Sequence, residues 1–177
     1  MYLLKAETIL TGWLNEVVPN GFVLVDGEVI TAVGDHEAMA ALAGPAAEII
    51  DLAGLTILPG LIYCHVHLGF DGSANPVARF TSENDHQLLL RMAHHARLLL
   101  ETGVTTAREM GARGFLDLAL REAVEQGYAA GPRLFVSNRP ITITGGHCWF
   151  MGCECDDHHA VRRAVREHVK AGADWIK

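Results

Sequence analysis

From residue 56 onward, short β-rich runs alternate with amphipathic stretches, and this alternation narrows the fold more than any other feature. The runs are Thr56 to Ile62, Val104 to Met110, Arg133 to Ser137 and Asp174 to Lys177. Between them Leu88, Leu89, Met92, Ala93, Ala96, Leu99 and Leu100 recur at helical spacing. Phe115, Leu116, Ala119, Leu120, Ala123 and Val124 do the same. A third helix is expected from about Asp157 to Ala171, with Val161, Ala164, Val165 and Val169 inward. Gly103, Gly127 and Gly172 stand where glycine ends a helix. Ser82 with Asp85 reads as a capping-box start, and the polar stretch Gly69 to Phe80 as a loop. Strands and helices in this order imply a parallel sheet with right-handed crossovers. The expectation is therefore an α/β fold, the first half of a (β/α)8 TIM-like barrel, since a full barrel takes about 250 residues. The first barrel strand, Thr56 to Ile62, is apolar enough to be buried on both faces.

The first sixty residues read differently. Ala6 to Leu10, Phe22 to Val25, Val29 to Val33 and Glu48 to Asp51 are β-rich runs. Asn20-Gly21 and Asp26-Gly27 are turn pairs, the second a hairpin signal. Ala38 to Ala43 suits one or two turns of helix. We expect a small β-subdomain over residues 1–57 and the barrel part over 58–177.

The chain has 177 residues, half of them hydrophobic, enough to bury a core. Its net charge of −7 and the lack of a basic run speak against nucleic acid as a partner. No apolar run approaches the roughly 18–20 residues of a membrane span, and the opening Met-Tyr-Leu-Leu-Lys does not begin a signal peptide. Four cysteines are too few for a disulfide framework and read as reduced thiols of a cytoplasmic protein.

The chemistry gathers at a few positions. His65 and His67 follow an apolar run and lie one residue apart, so on a strand they project to one side. At the C-terminal end of a barrel strand, where such folds place their chemistry, they suit one metal ion. Trp175 and Lys177 share one face of the last run. An inward Lys177 four strands along could meet the histidines as a neutral amine or as an anionic carbamate, or it could be a plain charged strand end. His147, after Gly145-Gly146, is a candidate substrate contact or a surface histidine. Arg108 and Glu109 should face opposite ways, one of them buried in an ion pair. Cys153-Glu-Cys155 with His158 and His159 has spacing too tight for an ordinary zinc site. His94 and His95 read as surface or interhelix residues.

Taken together, Leu58-Pro59-Gly60-Leu61-Ile62 with His65-Val66-His67, Gly103-Val104-Thr105-Thr106-Ala107-Arg108, Gly131-Pro132-Arg133, Thr144-Gly145-Gly146-His147 and Gly172-Ala173-Asp174-Trp175-Ile176-Lys177 resemble the amidohydrolase superfamily. The likeness covers nearly the whole chain and is to the amino-terminal half of its imidazolonepropionase-like and Xaa-Pro/Xaa-Arg dipeptidase branch. It implies a barrel with a composite β-sandwich subdomain and a binuclear, usually zinc, site. His65 and His67 would bind the more buried ion and carbamylated Lys177 would bridge both, with His147 near the substrate. A metal-activated hydroxide would then cleave an amide or peptide bond of a small dipeptide-like or N-acyl amino acid-like substrate. Homo-oligomerisation is left open. A mononuclear deaminase or cyclic-amide hydrolase of the superfamily would use His65 and His67 without needing Lys177; an inactive barrel would keep only the fold. Two positions depart from the family pattern: Tyr63 and Glu109 stand where Asp is usual. The catalytic Asp and two further histidines are expected beyond residue 177, so these residues alone should not be competent.

Overall fold

The computed structural model describes residues 1–14, 16–35, 38, 42 and 47–177. The helical turn expected over 38–43 falls largely outside the described residues. The chain divides into two compact units, Met1–Pro59 and Gly60–Lys177.

The first unit is a four-stranded sheet built from β1 (Tyr2–Leu10), β2 (Val17–Asp26), β3 (Val29–Asp35) and β4 (Glu48–Ile57), in the order β3-β2-β1-β4. β1 runs antiparallel to β2 and parallel to β4. The β2–β3 hairpin turns at Gly27, whose φ of +60° suits a tight two-residue turn. Asn20-Gly21 is not a turn. It lies inside β2, where Asn20 takes a left-handed φ of 48° and the pairing with β1 skips a step. A Cβ at Gly21 would come within 2.8 Å of Ile9, so the close approach of β1 selects glycine there. Leu3 packs with Phe22 and Leu24, while Ala6 and Ile9 pack with Val23; the alternation of β2 sends these sets to opposite faces.

In the second unit β5 (Leu61–Val66), β6 (Val104–Glu109) and β7 (Arg133–Val136) form a parallel sheet in that order. The expected first barrel strand is thus displaced. Thr56 and Ile57 finish β4, Leu58-Pro59-Gly60 interrupts, and β5 starts at Leu61. Nor is β5 buried on both faces: Ile62 is 70% exposed. It is an edge strand with one neighbour, and no second layer covers its open face among the described residues.

The stretch expected as a loop contains a helix, α1 (Pro76–Ser82), started by Pro76 at the first turn and by Asn75, whose side chain accepts from Ala78 N. α2 (Asp85–Glu101) then starts from Asn84, which forms a reciprocal capping box with Gln87; Ser82 instead closes α1. α3 (Leu116–Glu125) joins β6 to β7. After β7 comes a parallel ribbon of β8 (Ile141–Thr142) and β9 (Cys153–Glu154), enclosing the 3-10 turn Trp149–Met151. α4 (His158–Ala171) follows, capped by Asp157 at its start and by Gly172, φ +97°, at its end. Leu88, Met92 and Ala96 of α2 bury their stripe against Ala107 of β6, Leu134 and Val136 of β7 and Leu120 of α3. No helix among the described residues is long and apolar enough to cross a membrane.

Residues 174–177 are not a laddered strand. Asp174 N and Trp175 N both donate to Val136 O, and Ile141 N donates to Lys177 O. Two N–H groups on one carbonyl dock the segment beside β7 without the evenly spaced bonds of a parallel pair.

Candidate functional site

His65 lies near the end of β5 and His67 just beyond it. Pairing with β6 puts Tyr63 opposite Ala107 and Val66 opposite Glu109, so β5 carries one extra residue immediately before and at His65. A bulge of this kind re-aims side chains. The two imidazoles face each other edge-on, centroids 5.3 Å apart.

Lys177 completes the cluster. Its Nζ lies 3.3 Å from His65 Nε2 and 3.1 Å from His67 Nε2. The backbone that delivers it is tied down on both sides. Asp174 Oδ2 accepts from Val136 N at 2.9 Å and from Arg121 Nη1 at 2.8 Å, and Lys177 O accepts from Ile141 N at 2.8 Å. Arg108 stacks its guanidinium over Trp175, 5.1 Å from the ring centroid.

The orientation of His67 is set from the other side of its ring. Nδ1 lies 3.1 Å from Gly111 O and 3.5 Å from Glu109 Oε1. Both are acceptors, so the proton belongs on Nδ1 and the Nε2 lone pair faces Lys177. Glu109 is fully buried and also accepts from Leu68 N at 2.6 Å and Gly111 N at 3.2 Å. Burial pushes its carboxyl up, against the opposing pull of His67 and the two amides. Glu109, the buried member of the Arg108-Glu109 step, is therefore not in the expected ion pair but faces the Nδ1–H side of His67, while half-buried Arg108 donates to Cys64 O at 2.6 Å. Desolvation first, then the charges of Lys177, His67 and Arg108, lower the pKa of His65 and favour its neutral, lone-pair-bearing form. Gly111 has a φ of +147°, and a Cβ there would meet Pro140 Cγ at 2.7 Å and His67 Cε1 at 3.2 Å.

Three of the candidate residues are thus brought together. The fourth, His147, is exposed in the turn before Trp149, and no contact joins it to His65, His67 or Lys177. Among the described residues no group of three or more His, Cys, Asp and Glu side chains is arranged to hold a metal ion. His158 and His159 stack on each other, 3.9 Å between centroids, and do not complete a site with Cys153 and Cys155. His95, on α2, is an internal strut whose Nδ1 lies 2.8 Å from Leu68 O. An apolar cavity of about 260 Å³ touches His67 but neither His65 nor Lys177, so it neighbours the cluster without being its mouth.

Sequence reasoning missed Glu109 as the partner of His67, and Asp174 as the clamp behind Lys177. A glycine two residues after Glu109 at a strand end, Gly111, is the sequence signal that could have pointed to a special backbone there.

Parallel strands joined by helices, with a polar cluster at the C-terminal strand ends, define the (β/α) barrel class. Residues 56–177 match the profile of the amidohydrolase family, and the chain belongs to that family. Over 72% of its length it is 28% identical to an imidazolonepropionase of Mesorhizobium japonicum, covering 36% of that protein. Among solved structures it superposes on an amidohydrolase with a TM-score of 0.82 at 31% identity, covering 99% of this chain and 45% of the other. A Xaa-Pro dipeptidase with methionine bound in its active site gives 0.81 at 27% identity, with 99% and 46% coverage. The chain thus spans less than half the length of these relatives, and its architecture is a partial TIM barrel preceded by a sheet.

Proposed function

We propose that these residues supply one side of the active site of a metal-dependent hydrolase that cleaves a C–N amide or peptide bond in a small substrate of dipeptide or N-acyl amino acid type. The observation that carries this reading is the convergence of His65 Nε2, His67 Nε2 and Lys177 Nζ within hydrogen-bonding distance. Two imidazole lone pairs aimed at one cationic group form a donor set that fits a divalent cation, zinc above all.

When bound, such an ion supplies Lewis acidity toward a carbonyl and lowers the pKa of a nearby water. His65 and His67 would hold it through Nε2. Gly111 O and Glu109, by taking the Nδ1 proton of His67, keep that lone pair outward and the ring fixed. As an ammonium, Lys177 would repel a cation; as its carbamate it would present two anionic oxygens, enough to share between two ions. The remaining ligands, the catalytic acid–base and the strands that complete the β-sandwich around Met1–Pro59 would come from residues other than these. A cytoplasmic setting and a small-molecule substrate, rather than a nucleic-acid or membrane partner, accord with this reading.

The test uses the longest cellular form of the protein. Dipeptides and N-acyl amino acids should be hydrolysed, Lys177→Ala should abolish the reaction, and short carboxylic acids should restore part of it. Ammonia release from an amino-heterocycle, unaffected by Lys177→Ala, would instead establish the deaminase alternative.

A further inference from the structure

We propose that Cys153 and Cys155 form a redox-active dithiol that closes to a disulfide by exchange with a low-molecular-weight disulfide. The two Sγ atoms lie 3.7 Å apart in the short strand β9 and the residue after it. Among the described residues no third His, Cys, Asp or Glu joins them as a metal site.

The two thiols differ in a way that orders the reaction. Cys153 is partly exposed and Cys155 is buried. Burial, then the hydrogen bond and charge of Cys153, push the Cys155 thiol up, while Arg163 and Arg139 act the other way. Cys153, as thiolate, attacks one sulfur of the small disulfide; that S–S bond breaks and one small thiolate leaves to take up a proton. Cys155 then gives its proton to solvent and attacks the Cys153 sulfur of the mixed disulfide, releasing the second small thiolate. Two protein thiols are oxidised, and one small disulfide is reduced to two thiols.

Closure has a structural consequence. Residues i and i+2 of a strand are about 6.6 Å apart at Cα, near the upper end of the range a disulfide accepts, about 4.4–6.8 Å. Drawing them together bends the chain at Glu154, whose carboxylate accepts from Gly145 N at 2.6 Å. It also pulls on the bond from Cys155 N to Thr142 O, 2.7 Å, and that from Cys153 N to Pro140 O, 2.9 Å. These contacts hold the base of the loop that carries His147. Oxidation is therefore expected to loosen that loop.

The probe is glutathione disulfide, read by intact mass and fragmentation. The reduced chain should lose two hydrogens with no adduct retained on Cys153 or Cys155, whatever exposed Cys64 takes up, and the new bond should map between Cys153 and Cys155. Cys155→Ser should instead stop with one glutathione on Cys153, and Cys153→Ser should give neither product at this pair. In the oxidised chain the Gly145 and Cys155 amides should exchange about tenfold faster, as for loss of one net hydrogen bond. Adducts confined to exposed Cys64, or a bond to Cys148, would overturn the proposal. Should the serine variants not fold, phenylarsine oxide supplies the second reading on the unsubstituted chain. One arsenical retained by the reduced form and none after glutathione disulfide supports the dithiol; retention unchanged by oxidation refutes it.

Discussion

The N-terminal sheet and the parallel unit bury different kinds of side chain. Among the described residues of the sheet, the buried side chains are apolar: Leu3, Ala6, Ile9, Phe22, Val23 and Leu24. In the parallel unit Arg91, Glu109, Asp117, Ser137, Asn138 and His168 are buried as well. Taking such groups out of water is costly unless each finds partners. Three of them lie where β6 and β7 end, and a fourth, Asp117, reaches the same place by accepting from Asn138 N at 2.8 Å. The sheet is thus built for stability, whereas the parallel unit accepts a polar interior at the strand ends that also position His67 and Lys177.

The largest effect that would sharpen this contrast is a pH dependence. Burial, then the charge of Glu109, push Asp117 from 3.8 up to about 7. Between those values the folded chain holds a proton that the unfolded chain releases, so this group's contribution is full below about pH 4 and is lost as pH rises through about 7. It amounts to something on the order of 4 kcal/mol. Denaturant titrations from pH 4 to 8 should show the decline, and Asp117→Asn should flatten it; an unchanged slope in the variant would remove Asp117 as its source.

Next comes the apolar core. Leu88→Ala, at a fully buried site, should lower the stability of the parallel unit by about 3 kcal/mol in urea unfolding. Gly111→Ala should cost about 2 kcal/mol through the left-handed backbone and the contacts with Pro140 and His67. The NMR signals of the His67 ring should move in that variant, and a variant with native stability and an unmoved ring would break the link between Gly111 and the cluster. Smallest is Ile30→Thr in the sheet, where the side chain is 64% exposed: a change under about 0.5 kcal/mol is expected in the same assay.

Much of this arrangement was legible in the sequence because it is local. Helical spacing and terminal glycines place α2, α3 and α4 to within a few residues, and Asp26-Gly27 marks the hairpin. The errors were local too, where two signals competed. Asn75-Pro76 starts α1 inside a polar stretch that reads as a loop, and Asn20-Gly21 has the composition of a turn but serves the close packing of β1 on β2. Likewise Thr56 and Leu61 belong to one apolar run in sequence but to different units in space.

For the site, the one-apart spacing of His65 and His67 anticipates their convergence; Lys177 reaches them from a segment docked on Val136 and Ile141 rather than from the strand that the sequence suggests. The partners behind them were not legible. Glu109 is separated from His67 by α2 in the chain, and only the pairing of β6 with β5 brings it beneath the ring. His147 is exposed and makes no contact with His65, His67 or Lys177, and its expected place near a substrate is a separate matter from this cluster.

The most direct test is zinc content per chain by elemental analysis, on samples whose intact mass is measured at the same time. Bound zinc is expected in the unsubstituted protein, with its loss in His65→Ala, reduced content in Lys177→Ala, and a mass increase equal to one carbon dioxide when the lysine is present. Zinc content unaltered by His65→Ala would contradict the assignment of the histidine cluster as the metal centre.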